Sequence, residues 1–253
     1  MCLIVVGWQT HPDYPLIVAA NRDEFYARPT AFAERWPENP QIIGGRDLEA
    51  GGTWLGITDT GRFAAVTNVR EPGKPPGRVS RGELTRRYLT AKDTARVAIE
   101  QVVDADYAGF NLLLGDPEHL FYRTNRHGGV EALPPGIYGL SNHRLETPWP
   151  KLTTARASFA AALAALPDET ALEAALFALL ADDRTVDDEK LPKTGVSLDW
   201  ERRLSSIFIA SPDYGTRAST VLMRRADGHI RLHERSFGPH GQALQSAVIS
   251  TGV

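Results

Sequence analysis

Cysteine occurs once in the 253 residues, at position 2, directly after Met1 and at the head of the apolar run Leu3-Ile4-Val5-Val6. A thiolate is a strong nucleophile, so the surroundings of Cys2 decide whether it does chemistry or only packs. A second apolar run, Leu16 to Ala20, ends in the polar tetrad Asn21-Arg22-Asp23-Glu24, and the turn-forming residues Thr10 to Pro15 separate the two. If the runs form a hairpin centred near Pro12, paired residue numbers sum to about 24, which sets Cys2 opposite or diagonal to Arg22. An arginine beside a thiol favours the thiolate, and a carboxylate such as Asp23 can hold a terminal ammonium or orient an amine. The hairpin end is therefore either a supported nucleophile or the start of a core strand with Arg22 and Asp23 as a surface ion pair.

A second constellation follows. Trp54-Leu55-Gly56-Ile57 and Phe63 to Asn68 flank the turn Asp59-Thr60-Gly61, a register that brings Asn68 near Gly52. Glycines beside an asparagine permit close approach of a ligand, and an Asn amide can donate to an oxyanion; an Asn closing a strand beside turn glycines is the alternative. The segment Arg70 to Arg81 carries four basic residues against one acidic and three prolines, so it reads as a basic loop, either a solvated surface loop or a wall favouring an anionic substrate. Metal chemistry has less support. His229 and His233 are four apart, which on a strand is about 13 Å, and the sequence shows no metal-ligand cluster.

The whole chain narrows the choice. With 253 residues and 42% hydrophobic composition it can bury a full core, and it reads as a single domain spanning 1–253. A formal net charge of -3 provides no field to recruit nucleic acid or an anionic membrane. One cysteine rules out an internal disulfide framework, the N-terminal apolar run is too short for a signal peptide, and no stretch approaches a membrane span. The expectation is a soluble cytoplasmic protein with a small-molecule ligand or substrate, no nucleic-acid partner and no integral membrane segment; the oligomeric state is left open.

The elements that must position these residues can be read in order. Residues after Phe25 through Pro40 read as an irregular connection. Ser80 with Glu83 opens a helix to Leu89, and Asp93 opens another to Val103. Three antiparallel strands follow at Phe110–Leu114, His119–Arg123 and Val130–Leu133, then a run from Ile137 into the polar terminus Ser141-Asn142-His143. Thr147-Pro148 caps a helix with Leu152, Ala155, Phe159, Leu163 and Leu166 on one face, and Leu172 to Leu180 forms a similar stripe. Asp182 to Trp200 reads as a charged flap or exposed excursion, and strands at Ile207–Ala210, Ala218–Met223 and Ile230–Arg235 close the chain. Antiparallel sheets with segregated helix pairs give an α+β protein with two sheets stacked between helical layers, αββα.

Five stretches together resemble the NRDE, or transport-and-Golgi-organisation, family: Met1-Cys2, Ala20 to Phe25, Gly51 to Gly56, Tyr138 to Asn142 and Tyr214 to Thr220. The resemblance runs from residue 1 to about 220 and implies an N-terminal-nucleophile (Ntn) hydrolase-like αββα sandwich. It also links the chain to haem trafficking, while the fold's relatives cleave amide bonds. By similarity to cholylglycine and penicillin V amidases it implies Cys2 as nucleophile, Asp23 as its support, Asn68 and Asn142 as oxyanion and amine contacts, and Arg217 as the late arginine. The amidases' early arginine falls three positions before the aspartate, at Ala20 here, so Arg22 enters only through the hairpin register. In that scheme removal of Met1 frees the Cys2 α-amine, whose pKa of about 7.7 to 8.0 suits it to take a proton from a thiol of about 8.5. No cofactor is required for hydrolysis. The rival implication is a carrier holding haem in the same cleft without turnover.

Overall fold

A computed structural model describes residues 2–165 and 168–251. Thirteen strands and five α-helices are present among them, in the order β1 (Cys2–Trp8), β2 (Leu16–Phe25), β3 (Thr30–Trp36), β4 (Asn39–Asp47), β5 (Leu55–Thr58), β6 (Phe63–Asn68), α1 (Gly82–Thr90), α2 (Ala95–Glu100), β7 (Phe110–Gly115), β8 (Leu120–Thr124), β9 (Glu131–Ala132), β10 (Gly136–Leu140), α3 (Pro150–Ala164), α4 (Glu169–Leu180), α5 (Leu198–Arg203), β11 (Tyr214–Arg224), β12 (Ile230–Phe237) and β13 (Ala243–Ser250). The strands form two antiparallel sheets, ordered β10-β1-β2-β11-β12-β13 and β3-β4-β5-β6-β7-β8-β9.

Strand periodicity explains the layers. Every residue of β1 is buried, so its two faces must both be covered. Ile4, Val6 and Trp8 meet Ile43, Ile57 and Leu113 of the other sheet, whereas Leu3 and Val5 pack under Leu152 and Phe159 of α3 and Leu176 of α4. On the far side α1 and α2 cover Ala64, Val66, Leu112 and Leu114. The result is the expected αββα sandwich.

The register that matters for function is as the hairpin arithmetic requires. Cys2 pairs with Arg22 and Trp8 with Leu16, each pair summing to 24. In the second hairpin Leu55 pairs with Ala65 and Ile57 with Phe63, the register expected there, though the pairing ends at Leu55 and does not reach Gly52. Gly61, at φ +79°, makes its turn.

Other expectations are corrected. The connection between Phe25 and Pro40 is not irregular: it contains β3 and the start of β4. β3 is an edge strand with alternating exposed positions, so Glu34 and Arg35 dilute its apolar signal, and Pro40 is tolerated near the beginning of β4. Ile207–Ala210 is not a strand; the Ile209 carbonyl instead accepts the Thr216 N–H near the start of β11, and the Ile209 N–H donates to Thr216 Oγ1. The third closing strand is β13, an edge strand whose residues are mostly exposed and whose apolar positions do not alternate with polar ones. Helix starts also move: Arg81 rather than Ser80 precedes α1 without a side-chain cap, Thr94 rather than Asp93 caps α2, which ends at Glu100, and Trp149 precedes α3. Leu166 of the expected α3 stripe lies outside the described residues. The excursion after Asp182 carries α5 and turns Glu201 inward, 5% exposed.

Candidate active site

Cys2 begins β1 on the inter-sheet face, so directly opposite it on β2 lies Arg22, on the same face. The two share a cavity of about 130 Å³ with Glu24, Asp47, Trp54, Asn68 and Arg81. Arg22 is held on three sides. It donates to Thr30 Oγ1 at 3.0 Å, lies 3.6 Å from Asp47 Oδ2, and stacks over the Trp54 ring at 4.2 Å. Asp47 is itself bound by Arg28 at 2.7 Å, and these contacts with Arg22 and Arg28 hold its carboxyl below the usual range despite partial burial.

That geometry changes the expected activation. Burial pushes the Cys2 thiol up and Asp23 adds to the effect, while Arg22 and the backbone N–H of Asp23 only partly oppose it. Arg22 favours the thiolate, as the register implies, but desolvation outweighs it. The resting thiol therefore keeps its proton at neutral pH, and a nucleophilic role needs a base.

Asp23 follows Arg22 and so projects from the opposite face of the sheet, beneath the helical layer. Thr216, paired with it on β11, donates from Oγ1 to Asp23 Oδ1 at 2.8 Å. Burial raises the Asp23 carboxyl, opposed by Lys151, Thr216 and Arg70. Asn21 is structural: its Nδ2 donates to the Leu180 and Ile207 carbonyls at 2.8 and 2.9 Å, and its Oδ1 accepts from Ser219.

On the opposing sheet Asn68 ends β6 at the cavity wall. Asn142 donates from Nδ2 to the Asn68 carbonyl at 3.1 Å and to Asn68 Oδ1 at 3.0 Å. With Oδ1 so engaged, the orientation of the Asn68 amide is fixed, and none of the described residues accepts from its Nδ2. Asn142 is fully buried and stands one hydrogen bond behind the cavity. Ser141 completes the link, donating to the Cys2 carbonyl at 3.1 Å and to Asn142 Oδ1 at 3.3 Å.

The structure thus brings Cys2, Arg22 and Asn68 to one cavity, with Asp23 bordering it and its side chain turned to the other face of the sheet, and Asn142 behind Asn68. Arg217 is elsewhere. Its guanidinium donates to the carbonyls of Phe25, Tyr26 and Arg28 and pins the turn after β2, beside a separate space of about 50 Å³ near Glu234. Gly52 also has a different neighbour from the one its position suggests. A Cβ there would stand 2.3 Å from the Gly82 carbonyl oxygen, so this glycine admits the start of α1 rather than a ligand.

Beyond Asn68 the cavity continues into a cleft of about 640 Å³, with Arg28, Asn68, Ser80 and Arg81 common to both. The Arg70 to Arg81 loop forms one wall, through Pro72, Pro75 and Pro76. Of the cations lining it, Arg28 pairs with Asp47 and Glu49, and Arg70 with Glu201. Lys74 and Arg81 have no carboxylate within ion-pair distance among the described residues; Arg81 donates to the Gly109 carbonyl at 3.3 Å. Arg81 and Lys151 are functional-site neighbours that the sequence reading did not single out: one was read as part of a loop, the other as an ordinary helix residue.

These walls offer haem few axial ligands. The space holding the only thiol is small and lined by charged groups, whereas the roomier cleft presents neither thiol nor imidazole. Among the described residues there is also no group of three or more His, Cys, Asp or Glu side chains placed to hold a metal.

Comparison with known proteins agrees with this architecture. The family model described as Transport and Golgi organisation 2 matches residues 1–239. The Transport and Golgi organization protein 2 homolog of Bos taurus is 38% identical over 264 residues, covering 94% of this chain and 93% of the relative. The Homo sapiens homolog is 35% identical over 258 residues, with the same coverage. Among solved structures, the Caenorhabditis elegans N-acylethanolamine-hydrolyzing acid amidase ortholog superposes with a TM-score of 0.50 at 15% identity, covering 87% of this chain and 92% of its own. The C2A mutant of the conjugated bile acid hydrolase from Clostridium perfringens gives 0.55 at 8% identity, covering 99% and 92%. At such identities the likeness shows the fold alone, that of the Ntn hydrolases.

Proposed function

The chain belongs to the Transport and Golgi organisation 2 family, and on that premise we propose that its cleft is the site of a cysteine amidohydrolase of the Ntn type, acting on a linear amide of an amphipathic or anionic small molecule. The observation that carries this reading is the pairing, across one cavity, of the sole thiol with an Asn68 amide whose orientation Asn142 fixes. Nucleophile and oxyanion donor come from different sheets, so the sandwich itself sets their separation.

Removal of Met1 frees the α-amine of Cys2. That amine takes the thiol proton, and the sulfur attacks the amide carbonyl, forming a carbon–sulfur bond as the carbonyl electrons move onto oxygen. Asn68 Nδ2 donates to that oxyanion. Collapse breaks the carbon–nitrogen bond, the leaving amine receives the proton held by the α-amine, and water then releases the acyl group from sulfur. Asp23 orients the α-amine from behind, and Arg22 stabilises the developing thiolate. Lys74 and Arg81, the cations of the wall without a carboxylate partner among the described residues, favour a substrate carrying negative charge.

The test is an amide-hydrolysis screen with N-acyl amides whose amine half is anionic or neutral, run beside intact-mass analysis of the purified protein. The expected result is a mass beginning at Cys2 and turnover abolished by Cys2→Ala. Quantitative retention of Met1 removes the α-amine as base and with it this mechanism.

A further inference from the structure

Away from the cleft, on the face of the first sheet that α4 covers, three side chains are joined in series by hydrogen bonds. Ser246 Oγ on β13 lies 2.8 Å from His233 Nε2 on β12, and His233 Nδ1 lies 2.8 Å from Glu173 Oε1 on α4. Hydroxyl, imidazole and carboxylate in that order are the arrangement by which a serine becomes a nucleophile. The strand register produces the first contact. Arg235 pairs with Ser246 and His233 with Val248, so Ser246 sits diagonally from His233 on the same face. β13 is four strands from β1 in the sheet, about 19 Å away, and this face is opposite to the one that carries Cys2.

Each member is held in place by its neighbours. Glu173 receives Arg231 Nε at 2.8 Å as well as the imidazole. Burial works against its ionisation, but the bonds from Arg231 and His233 outweigh it and hold its carboxyl below the usual range. An ionised Glu173 accepts from Nδ1–H, which leaves Nε2 to accept the Ser246 hydroxyl proton. Phe177, one turn along α4 from Glu173, stands edge-on to the imidazole at 4.7 Å and restrains its plane. His233 is 8% exposed, whereas Ser246 lies exposed on an edge strand, so the base is sheltered and the hydroxyl reachable. Arg235, directly across from Ser246, stacks on Phe177 at 3.9 Å and has no carboxylate within ion-pair distance among the described residues. A strut that merely pinned β13 would need neither the carboxylate behind the imidazole nor an uncommitted guanidinium beside the hydroxyl.

We propose that Ser246, His233 and Glu173 form a second, shallow site that cleaves carboxylic esters with an apolar acyl group: Ser246 is the nucleophile, His233 its general base, Glu173 the residue that positions the imidazole, and Arg235 the cation facing the oxyanion. The Ser246 O–H bond breaks as His233 Nε2 takes the proton, a bond forms from Oγ to the ester carbon, and the carbonyl electron pair moves onto oxygen beside the Arg235 guanidinium. Collapse breaks the ester carbon–oxygen bond, and the leaving alkoxide takes the proton from His233. His233 then draws a proton from water, whose oxygen displaces the acid and returns Ser246 to its hydroxyl. Val248, 48% exposed and two residues along from Ser246 on the same face, offers the acyl group an apolar surface. The inference owes nothing to Cys2 or to the cleft.

The probe is an alkyl fluorophosphonate, whose phosphorus is captured by an activated serine with loss of fluoride. Treatment of the wild-type chain followed by peptide mapping is expected to place the adduct on Ser246, and His233→Asn to slow its formation at least about 100-fold. Hydrolysis of p-nitrophenyl butyrate is measured in parallel on protein carrying Cys2→Ala, so that the thiol cannot contribute. Adding Ser246→Ala is expected to abolish that turnover, and adding Glu173→Gln to lower kcat about 100-fold or more with KM unchanged, because Glu173 touches the imidazole and not the ester. A purely structural series of hydrogen bonds would lower the melting temperatures of these variants and leave Ser246 unlabelled, or labelled as fast in His233→Asn as in the wild type; either result would overturn the proposal. Should His233→Asn not fold, Ser246→Ala at its exposed edge position decides: undiminished ester turnover overturns the site, and its loss upholds it. Amide turnover that depends on Cys2 tests the cleft, and labelling at Ser246 tests this site, so each can fail while the other stands.

Discussion

Glu234 offers a quantitative test of how the two sheets are held together. It lies on β12, 2% exposed, and reaches across to the opposite sheet, where its Oε1 accepts the Ala33 N–H of β3 at 2.8 Å. Its Oε2 is 3.1 Å from the Thr220 hydroxyl on β11. Burial raises its carboxyl from 4.5 to about 7, opposed by these two hydrogen bonds and by Arg22. The sign follows from linkage. Between 4.5 and 7 the folded protein holds a proton that the unfolded chain has released, so stability falls as pH rises through that window, and the full cost is present above pH 7. A gap of about 2.5, at about 1.36 kcal/mol per pH unit, sets that cost at about 3 kcal/mol. Glu234→Gln cannot ionise; its oxygen still accepts from Ala33 N–H and its NH₂ donates to Thr220 Oγ1. Urea unfolding followed by tryptophan fluorescence should find variant and wild type equal near pH 4.5, and the variant more stable by up to about 3 kcal/mol at about pH 8. Comparing the two at each pH removes the titration of every other group. A difference independent of pH would refute the assignment of a proton to Glu234 in the folded state.

The site and its scaffold give further expectations. Asn68→Ala should lower kcat about 100- to 1,000-fold with a smaller change in KM, since its amide acts on the oxyanion rather than on the bound amide; steady-state kinetics on any amide found in the screen measures this. Asn142→Leu should reproduce part of that loss while leaving ligand affinity nearly unchanged, because it removes the bond that fixes Asn68. Gly52→Ala forces a methyl against the Gly82 carbonyl and should cost about 1 to 3 kcal/mol, visible as a lower melting temperature, with α1 the element that shifts. In a haem titration the Soret band should be the same for wild type and Cys2→Ala; a cysteine-dependent shift would put the thiol on iron and reopen the carrier reading.

The sequence by itself determined the address of the sole thiol. Turn residues between two apolar runs fix a hairpin register, and alternation along a strand is a local property, so Cys2 opposite Arg22 and the pairing of Leu55 with Ala65 were readable without the fold. The stacking of two sheets between helices was likewise implied by runs buried on both faces. Only tertiary structure decided what those residues experience. That burial outweighs Arg22 at the thiol depends on Trp54, Asp47 and the opposing sheet closing over it, none of which is near Cys2 in sequence. Asn142 lies behind Asn68 rather than in the cavity because β10 leaves its neighbours β7 to β9 and joins β1 in the other sheet, a switch that its composition does not signal. Arg217 goes to three carbonyls of a turn, since the register shift between Thr216 and Ala218 turns it toward residues 25 to 28. The edge strands β3 and β13 escaped sequence reading for one reason: with one side solvated, they need little of the apolar patterning by which buried strands are recognised.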